Sequence, residues 1–350
     1  MRDEGAFFYE KSEPKRQESV DCLKSMQPLE DLINRMRIFQ ESRILLTAVE
    51  LDLFSAVGQG ATAAEAASRL QTDERATEML MNALVALQML QKEKDVFSNT
   101  QLAAQYLTES SPENVRLAML HTVYLWDRWS KLTESVRTGG KQQTSVEGRD
   151  QRWTEAFIAA MDRNVKERAP IVVKAVDTRN VRRMLDVGGG SGGYSIAFAK
   201  ASPELHADVL DLPAVLPLTN EYIEKSGLSR RVKTRAGDLL RDDFGRDYDL
   251  VLASAICHML SPAENQDLFR RCFAALASGG RIVIQDFILE PDKTAPRHAA
   301  LFALNMLVVT QKGANYSEDE YSTWLAKAGF QDTRRVVLPG WTGLMVGLKR

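Results

Sequence analysis

The chain has 350 residues, 44% hydrophobic and 26% charged, which suits two packed modules and excludes wholesale disorder. Its 45 Lys and Arg against 47 Asp and Glu leave a formal charge of −2, a poor match for a general binder of nucleic acid or of an anionic membrane surface. The cysteines Cys22, Cys257 and Cys272 form no CxxC pair and have no metal-ligand spacing with the four histidines, and no apolar run reaches the roughly 18 residues of a membrane span, so the expectation is a cytoplasmic chain without disulfides, metal or leader.

Residues 1–28 are polar, broken by Pro14, with Phe7, Phe8 and Tyr9 as an apolar cluster; they read as an arm. Residues 29–110 are helical in pattern. Apolar positions recur from Met36 to Phe54, Gly58 and Gly60 interrupt them, and Thr62 to Glu65 has the form of a capping box. A helix over Ala63–Leu70, a turn at Thr72 and Asp73, a long helix to about Leu90 and a strand pair around Glu93, Lys94 and Asp95 make a winged-helix pattern. Seven Lys and Arg against twelve Asp and Glu between Leu29 and Ser110 oppose DNA binding, which depends on cations facing phosphates. The apolar Leu80, Met81, Leu84, Leu87 and Leu90 point instead to burial in a subunit interface.

Residues 111–177 read as a helical connector with a break at Gly139 and Gly140. From 178 to 350 strands and helices alternate, with strands at Met184–Val187, Ala207–Leu210, Val232–Ala236, Asp249–Ser254 and Arg281–Phe287 and a closing pair at Arg334–Leu338 and Thr342–Leu348. That alternation predicts an α/β fold: a doubly wound, Rossmann-like parallel sheet behind a largely helical winged-helix domain.

The first strand of the sheet runs into Asp186-Val187-Gly188-Gly189-Gly190-Ser191-Gly192-Gly193. Gly188, Gly190 and Gly193 satisfy GxGxxG, so a dinucleotide site has to be weighed. Asp186, just before the glycines, would repel pyrophosphate but suits the ammonium of a sulfonium methyl donor. Asp211 ends the second strand, where a carboxylate accepts from ribose hydroxyls, and Asp238 follows the third, where one accepts from an adenine amino group. Ligands of open sheets sit at those strand ends. His258 follows the fourth strand and Asp286 ends the fifth, a base with a carboxylate to orient it. A phenolic hydroxyl, pKa about 10, is mostly protonated near neutrality and gains from such a base.

Leu185–Gly192, Asp211-Leu212-Pro213, Gly237-Asp238, Ile256-Cys257-His258 and Gly279-Gly280-Arg281 together resemble the caffeate/acetylserotonin-type O-methyltransferases of plants and their bacterial relatives. The resemblance covers about Leu29 to Arg350. It implies a homodimer joined through the N-terminal domain, S-adenosylmethionine as donor with S-adenosylhomocysteine as product, and a small-molecule acceptor. His258 takes the place of the base, with Asp286 and Asn315 where supporting glutamates are usual. The donor set becomes Asp186, Gly188, Gly190, Gly192, Asp211, Leu212, Asp238, Leu239 and Ser254. The acceptor set becomes Trp153, Phe157, Met161, Asn164, Met259, Phe302, Asn305 and Met306. Where the family reads His-Asp-Trp this chain reads His258-Met259-Leu260, which implies a more apolar acceptor or one presented differently. The sequence thus reads as an O-methyltransferase. Methyl transfer to sulfur, nitrogen or carbon, an NAD(P)-dependent oxidoreductase and a ligand-sensing winged-helix regulator stand as alternatives.

Overall fold

The structure is a computed structural model and describes residues 28–140 and 151–350; the predicted arm therefore lies almost wholly outside the described residues. The N-terminal module comprises α1 (Pro28–Arg37), α2 (Phe39–Leu51), α3 (Leu53–Val57), α4 (Ala63–Leu70), α5 (Glu74–Ala86), β1 (Leu90–Glu93), β2 (Val96–Asn99) and α6 (Gln101–Leu107). The predicted capping box forms: Thr62 accepts from Glu65 N–H while the Glu65 carboxylate accepts from Thr62 N–H. Asp73 caps α5 through Ala76 N–H at 2.8 Å.

The long first run of helix is broken at Asp52, which turns left-handed at φ 60°. The α5 helix stops at Ala86, short of the predicted Leu90, because Gln88 adopts φ 58° and Met89 N–H folds back to Leu84 O at 2.9 Å. Leu90 thereby becomes a buried strand residue. Met81, Leu84 and Leu90 pack into the module's own core with Phe54 and Phe97, which corrects their assignment to a subunit interface. Within this module the large apolar side chains left exposed lie mainly on the first two helices, among them Leu29, Leu32, Met36 and Phe39.

Three helices connect the modules: α7 (Arg116–Trp129), α8 (Leu132–Thr138) and α9 (Gln151–Ala175), with α7 packed along α9. The C-terminal module follows as β3 (Arg183–Val187), α10 (Gly193–Ala201), β4 (His206–Asp211), α11 (Leu216–Lys225), β5 (Val232–Ala236), β6 (Tyr248–Ser254), α12 (Pro262–Ala275), β7 (Leu276–Asp286), α13 (Arg297–Val309), α14 (Glu318–Ala328), β8 (Gln331–Val336) and β9 (Gly343–Leu348). The sheet order is β5-β4-β3-β6-β7-β9-β8, the first five parallel and β9 antiparallel to both its neighbours. Strand faces alternate as period two demands: Leu185, Val251 and Ile284 join one core with Phe269 and Tyr321, while Met184, Leu250 and Val283 join the other with Phe198. From β3 the chain winds to one side through β4 and β5, then returns to the other through β6 and β7. The carboxyl ends of β3 and β6 therefore border the crevice where such sheets take ligands.

Candidate active site

A cavity of about 820 Å³ occupies that crevice, walled by the carboxyl ends of the strands and by α7, α9 and α13. Its floor is the glycine loop, with Gly188 at φ 67° and Gly190 at φ 56°. A Cβ on Gly188 would stand 2.5 Å from Ile256 Cδ1, so both the backbone angle and the space require glycine there. Asp211 is fixed by the loop itself: its Oδ2 accepts from Gly190 N–H at 2.8 Å and its Oδ1 from Leu212 N–H at 2.7 Å. Burial raises the pKa of this carboxyl above the ordinary range.

Asp186 is buried beside it. Its Oδ2 accepts from Ser195 Oγ–H at 2.8 Å, while Oδ1 has no hydrogen-bond partner. Burial, reinforced by the nearby Asp211 charge, pushes the Asp186 carboxyl up to about 6. Such an orphaned carboxylate oxygen in a cavity wall calls for a cation.

Leu212, Leu239 and Ser254 also line the cavity, but two other residues of the predicted donor set do not. Gly192 serves as the N-cap of α10 at φ 72°. The Asp238 carboxylate braces its own loop, accepting from Leu240 N–H at 2.8 Å and lying 3.5 Å from Arg241. Leu239, its neighbour, reaches the wall in its place.

A polar chain, of which sequence reading found only Ser254, completes this side. Gln285 Oε1 accepts from Tyr194 O–H at 3.0 Å and from the Ser254 hydroxyl, and Gln285 Nε2 donates to Thr342 Oγ1 at 2.7 Å. Arg168 donates to the same Thr342 oxygen at 2.9 Å and also to Pro339 O. These residues come from α9, α10, β6, β7 and the turn before β9, so no local motif joins them. The available signal was helical spacing: Arg168 extends the Trp153, Phe157, Met161, Asn164 face of α9, all of which lines the cavity.

His258 lies in a single 3₁₀ turn, Cys257–Met259, just past β6. Because β6 and β7 are parallel neighbours, Asp286 at the end of β7 arrives beside it. His258 Nδ1–H donates to Asp286 Oδ1 at 2.6 Å. The carboxylate also accepts from His258 N–H at 3.1 Å, Phe287 N–H at 2.8 Å and Tyr321 O–H at 3.2 Å, so it cannot rotate away. With Nδ1 committed, Nε2 keeps its lone pair. Asn315 departs from its expected place: its amide donates to Ala299 O at 2.6 Å and its buried Oδ1 has no partner, so it makes no hydrogen bond to the imidazole.

Two aromatic pairs face the remaining space. Phe287 and Phe302 stack at 3.9 Å, with His258 edge-on to Phe302 at 5.0 Å. Trp153 and Phe157 stack at 5.1 Å, with His121 edge-on to Phe157 at 5.4 Å. Asn305 Oδ1 accepts from Trp129 Nε1–H at 2.9 Å, tying α13 to α7. Met161, Asn164, Met259 and Met306 fill in the wall. The described residues contain no cluster that could hold a metal and no helix long and apolar enough to cross a membrane.

The donor side fits S-adenosylmethionine: the unpartnered Asp186 oxygen suits its ammonium, Asp211 its ribose diol and Arg168 its carboxylate. It suits a dinucleotide less well, because a pyrophosphate at the glycine loop would meet the Asp186 carboxylate. The model of an O-methyltransferase domain matches residues 129–331, and that of an O-methyltransferase dimerisation domain matches residues 33–109, covering the winged helix. The chain is 33% identical over 322 residues to the 3-hydroxy-5-methyl-1-naphthoate 3-O-methyltransferase of Streptomyces sahachiroi, covering 88% of this chain and 92% of that protein. It is 30% identical to the tetracenomycin polyketide synthesis 8-O-methyl transferase TcmO of Streptomyces glaucescens, covering 91% and 96%. The solved structure of PigF with SAH superposes with a TM-score of 0.84 at 26% identity, covering 93% of this chain and 100% of that one. Fold, crevice, donor wall and sequence likeness thus agree, and the chain belongs to the S-adenosylmethionine-dependent O-methyltransferase family, with both its dimerisation domain and its methyltransferase domain.

Proposed function

We propose that the protein methylates a hydroxyl group of a small aromatic molecule, with His258 as general base, and works as a homodimer. The observation that carries this reading is the 2.6 Å bond from His258, which lines the cavity, to the buried Asp286 behind it. It selects the tautomer with a proton on Nδ1, leaving Nε2 to take the acceptor's proton. The Asp286 carboxylate then balances the imidazolium that results. When bound, S-adenosylmethionine supplies a methyl group on a positively charged sulfur that is already activated to leave.

The chain's own contribution is alignment and proton removal. Asp186, Asp211, Leu212, Leu239, Gly188 and Gly190 hold the donor, Arg168 and the Tyr194–Gln285–Ser254 chain border its tail, and the apolar wall excludes water. Alignment of two reactants can supply up to about 7–11 kcal/mol of the barrier reduction, and a positioned base a further factor of about 10²–10⁴. Flat rings suit the two stacked aromatic pairs, and Met259 removes a charge that would disfavour an apolar ring. The naphthoate acceptor named for the Streptomyces sahachiroi relative supports this choice. The exposed apolar residues of α1 and α2, within or beside a matched dimerisation domain, support the homodimer.

The test is incubation with isotopically labelled S-adenosylmethionine and a panel of hydroxylated aromatics, with the methyl located by NMR. A methoxy product is expected; a methyl on carbon, nitrogen or sulfur overturns the hydroxyl assignment.

A further inference from the structure

Residues 337–342, between β8 and β9, form a turn at the rim of the cavity. Its backbone is tied down. Arg168 donates to Pro339 O and, at 2.9 Å, to Thr342 Oγ1, and Gln285 Nε2 donates to the same Thr342 oxygen at 2.7 Å. Gly340 adopts φ 90°, and a Cβ there would collide with the Arg168 guanidinium. Between these anchors stands Trp341. It lines the cavity together with Thr342, Arg168 and Tyr194, yet it is 69% exposed, and of the five tryptophans it alone is exposed. Among the described residues no ring packs on its indole and no hydrogen bond holds it. A large aromatic face left in water is apolar area still to be buried. Here the turn is fixed and the ring is not, so the side chain can rotate over the cavity without any movement of the backbone. The hydrogen-bonded chain that starts at Thr342 runs through Gln285 to Ser254 and Tyr194, the groups that border the donor's tail.

We propose that Trp341 is a donor-binding residue whose indole closes over the amino-acid tail of bound S-adenosylmethionine or S-adenosylhomocysteine. Closure buries the ring, offers its electron-rich face to the tail's ammonium and keeps water from the Asp186 contact. It also slows release, because the ring has to swing out before the tail can leave. The inference rests on the donor assignment and is independent of which acceptor atom is methylated.

The test uses the full chain and S-adenosylhomocysteine, with tryptophan fluorescence quenched by acrylamide and affinity read by calorimetry. In the free chain most of the quenching comes from Trp341, the exposed ring, so Trp341→Phe removes most of it. Saturation with S-adenosylhomocysteine is expected to protect the native chain from acrylamide and to change Trp341→Phe little by comparison. Trp341→Ala weakens S-adenosylhomocysteine by about tenfold or more, the scale of a large apolar side chain withdrawn from contact, and does so through faster dissociation. Trp341→Phe, which keeps a ring, stays within about threefold of the native affinity. Quenching unchanged by saturation, or native affinity in Trp341→Ala, overturns the proposal. Failure of the donor assignment shows separately, as no binding of S-adenosylhomocysteine by the native chain, and failure of the hydroxyl reading as a methyl group on another atom.

Discussion

On the donor side of the cavity, Asp211 is held by two main-chain N–H groups and the glycine loop by its own backbone angles. On the acceptor side the wall is side chain: stacked rings from α9 and α13, a histidine at the edge of each stack, and one cross-module hydrogen bond from Trp129 to Asn305. A wall made of backbone has few ways to change without collapse. A wall made of side chains on helices can be reshaped one residue at a time. Substitutions on the donor side are therefore expected to weaken binding outright, whereas those on the acceptor side alter turnover or selectivity with the donor still bound.

The largest effect expected falls on the boundary between the two halves. His258→Ala lowers kcat by about 10²–10⁴-fold while calorimetric affinity for S-adenosylhomocysteine stays within about twofold. Loss of donor affinity in that variant would merge the two halves and break the comparison. Asp286→Asn keeps the shape of the pair but no longer dictates the tautomer, so kcat falls by about 10²–10³-fold with acceptor KM changed far less.

Gly188→Ala is the converse probe. Its added Cβ meets Ile256 at 2.5 Å and its φ of 67° disfavours any side chain. Donor affinity should fall by about tenfold or more, measured by calorimetry; unaltered affinity would mean that the loop yields freely.

The donor side is also expected to respond to pH. The Asp186 carboxyl is raised from 3.8 to about 6 in the free protein, so the folded state holds a proton that the unfolded chain releases earlier. Its contribution to stability is complete below about pH 4 and is lost as pH rises through about 6. A cationic donor prefers the ionised form, so affinity should rise about tenfold from pH 5 to 7 and then level. Asp186→Asn should flatten that profile, and a profile unchanged by the substitution would remove Asp186 from the donor's ammonium.

The smallest effect belongs to the tie between modules. Trp129→Phe removes one hydrogen bond worth about 0.5–1.5 kcal/mol, lowering Tm by a few degrees and raising acceptor KM more than donor Kd. Equal changes in both constants would show that the tie serves the whole cavity.

Contiguous stretches of sequence determined much of this protein. The parallel sheet, the winged helix, the glycine loop and the carboxylates Asp186 and Asp211 were legible because each follows from neighbouring residues: strand period, a capping box, glycines at a strand end. His258 and Asp286 were legible too, since adjacent parallel strands bring their carboxyl ends together. Tertiary structure decided what depends on residues far apart in the chain. It turned α5 at Gln88 and sent Leu90 into the module's own core; it committed Asn315 to Ala299 and Asp238 to its own loop; and it joined Arg168, Tyr194, Ser254, Gln285 and Thr342 into one chain of hydrogen bonds. The reason is physical. Local backbone preference and hydrophobic period act over a few residues, whereas the partner of a buried polar group is chosen by whichever segments the packed fold sets against it.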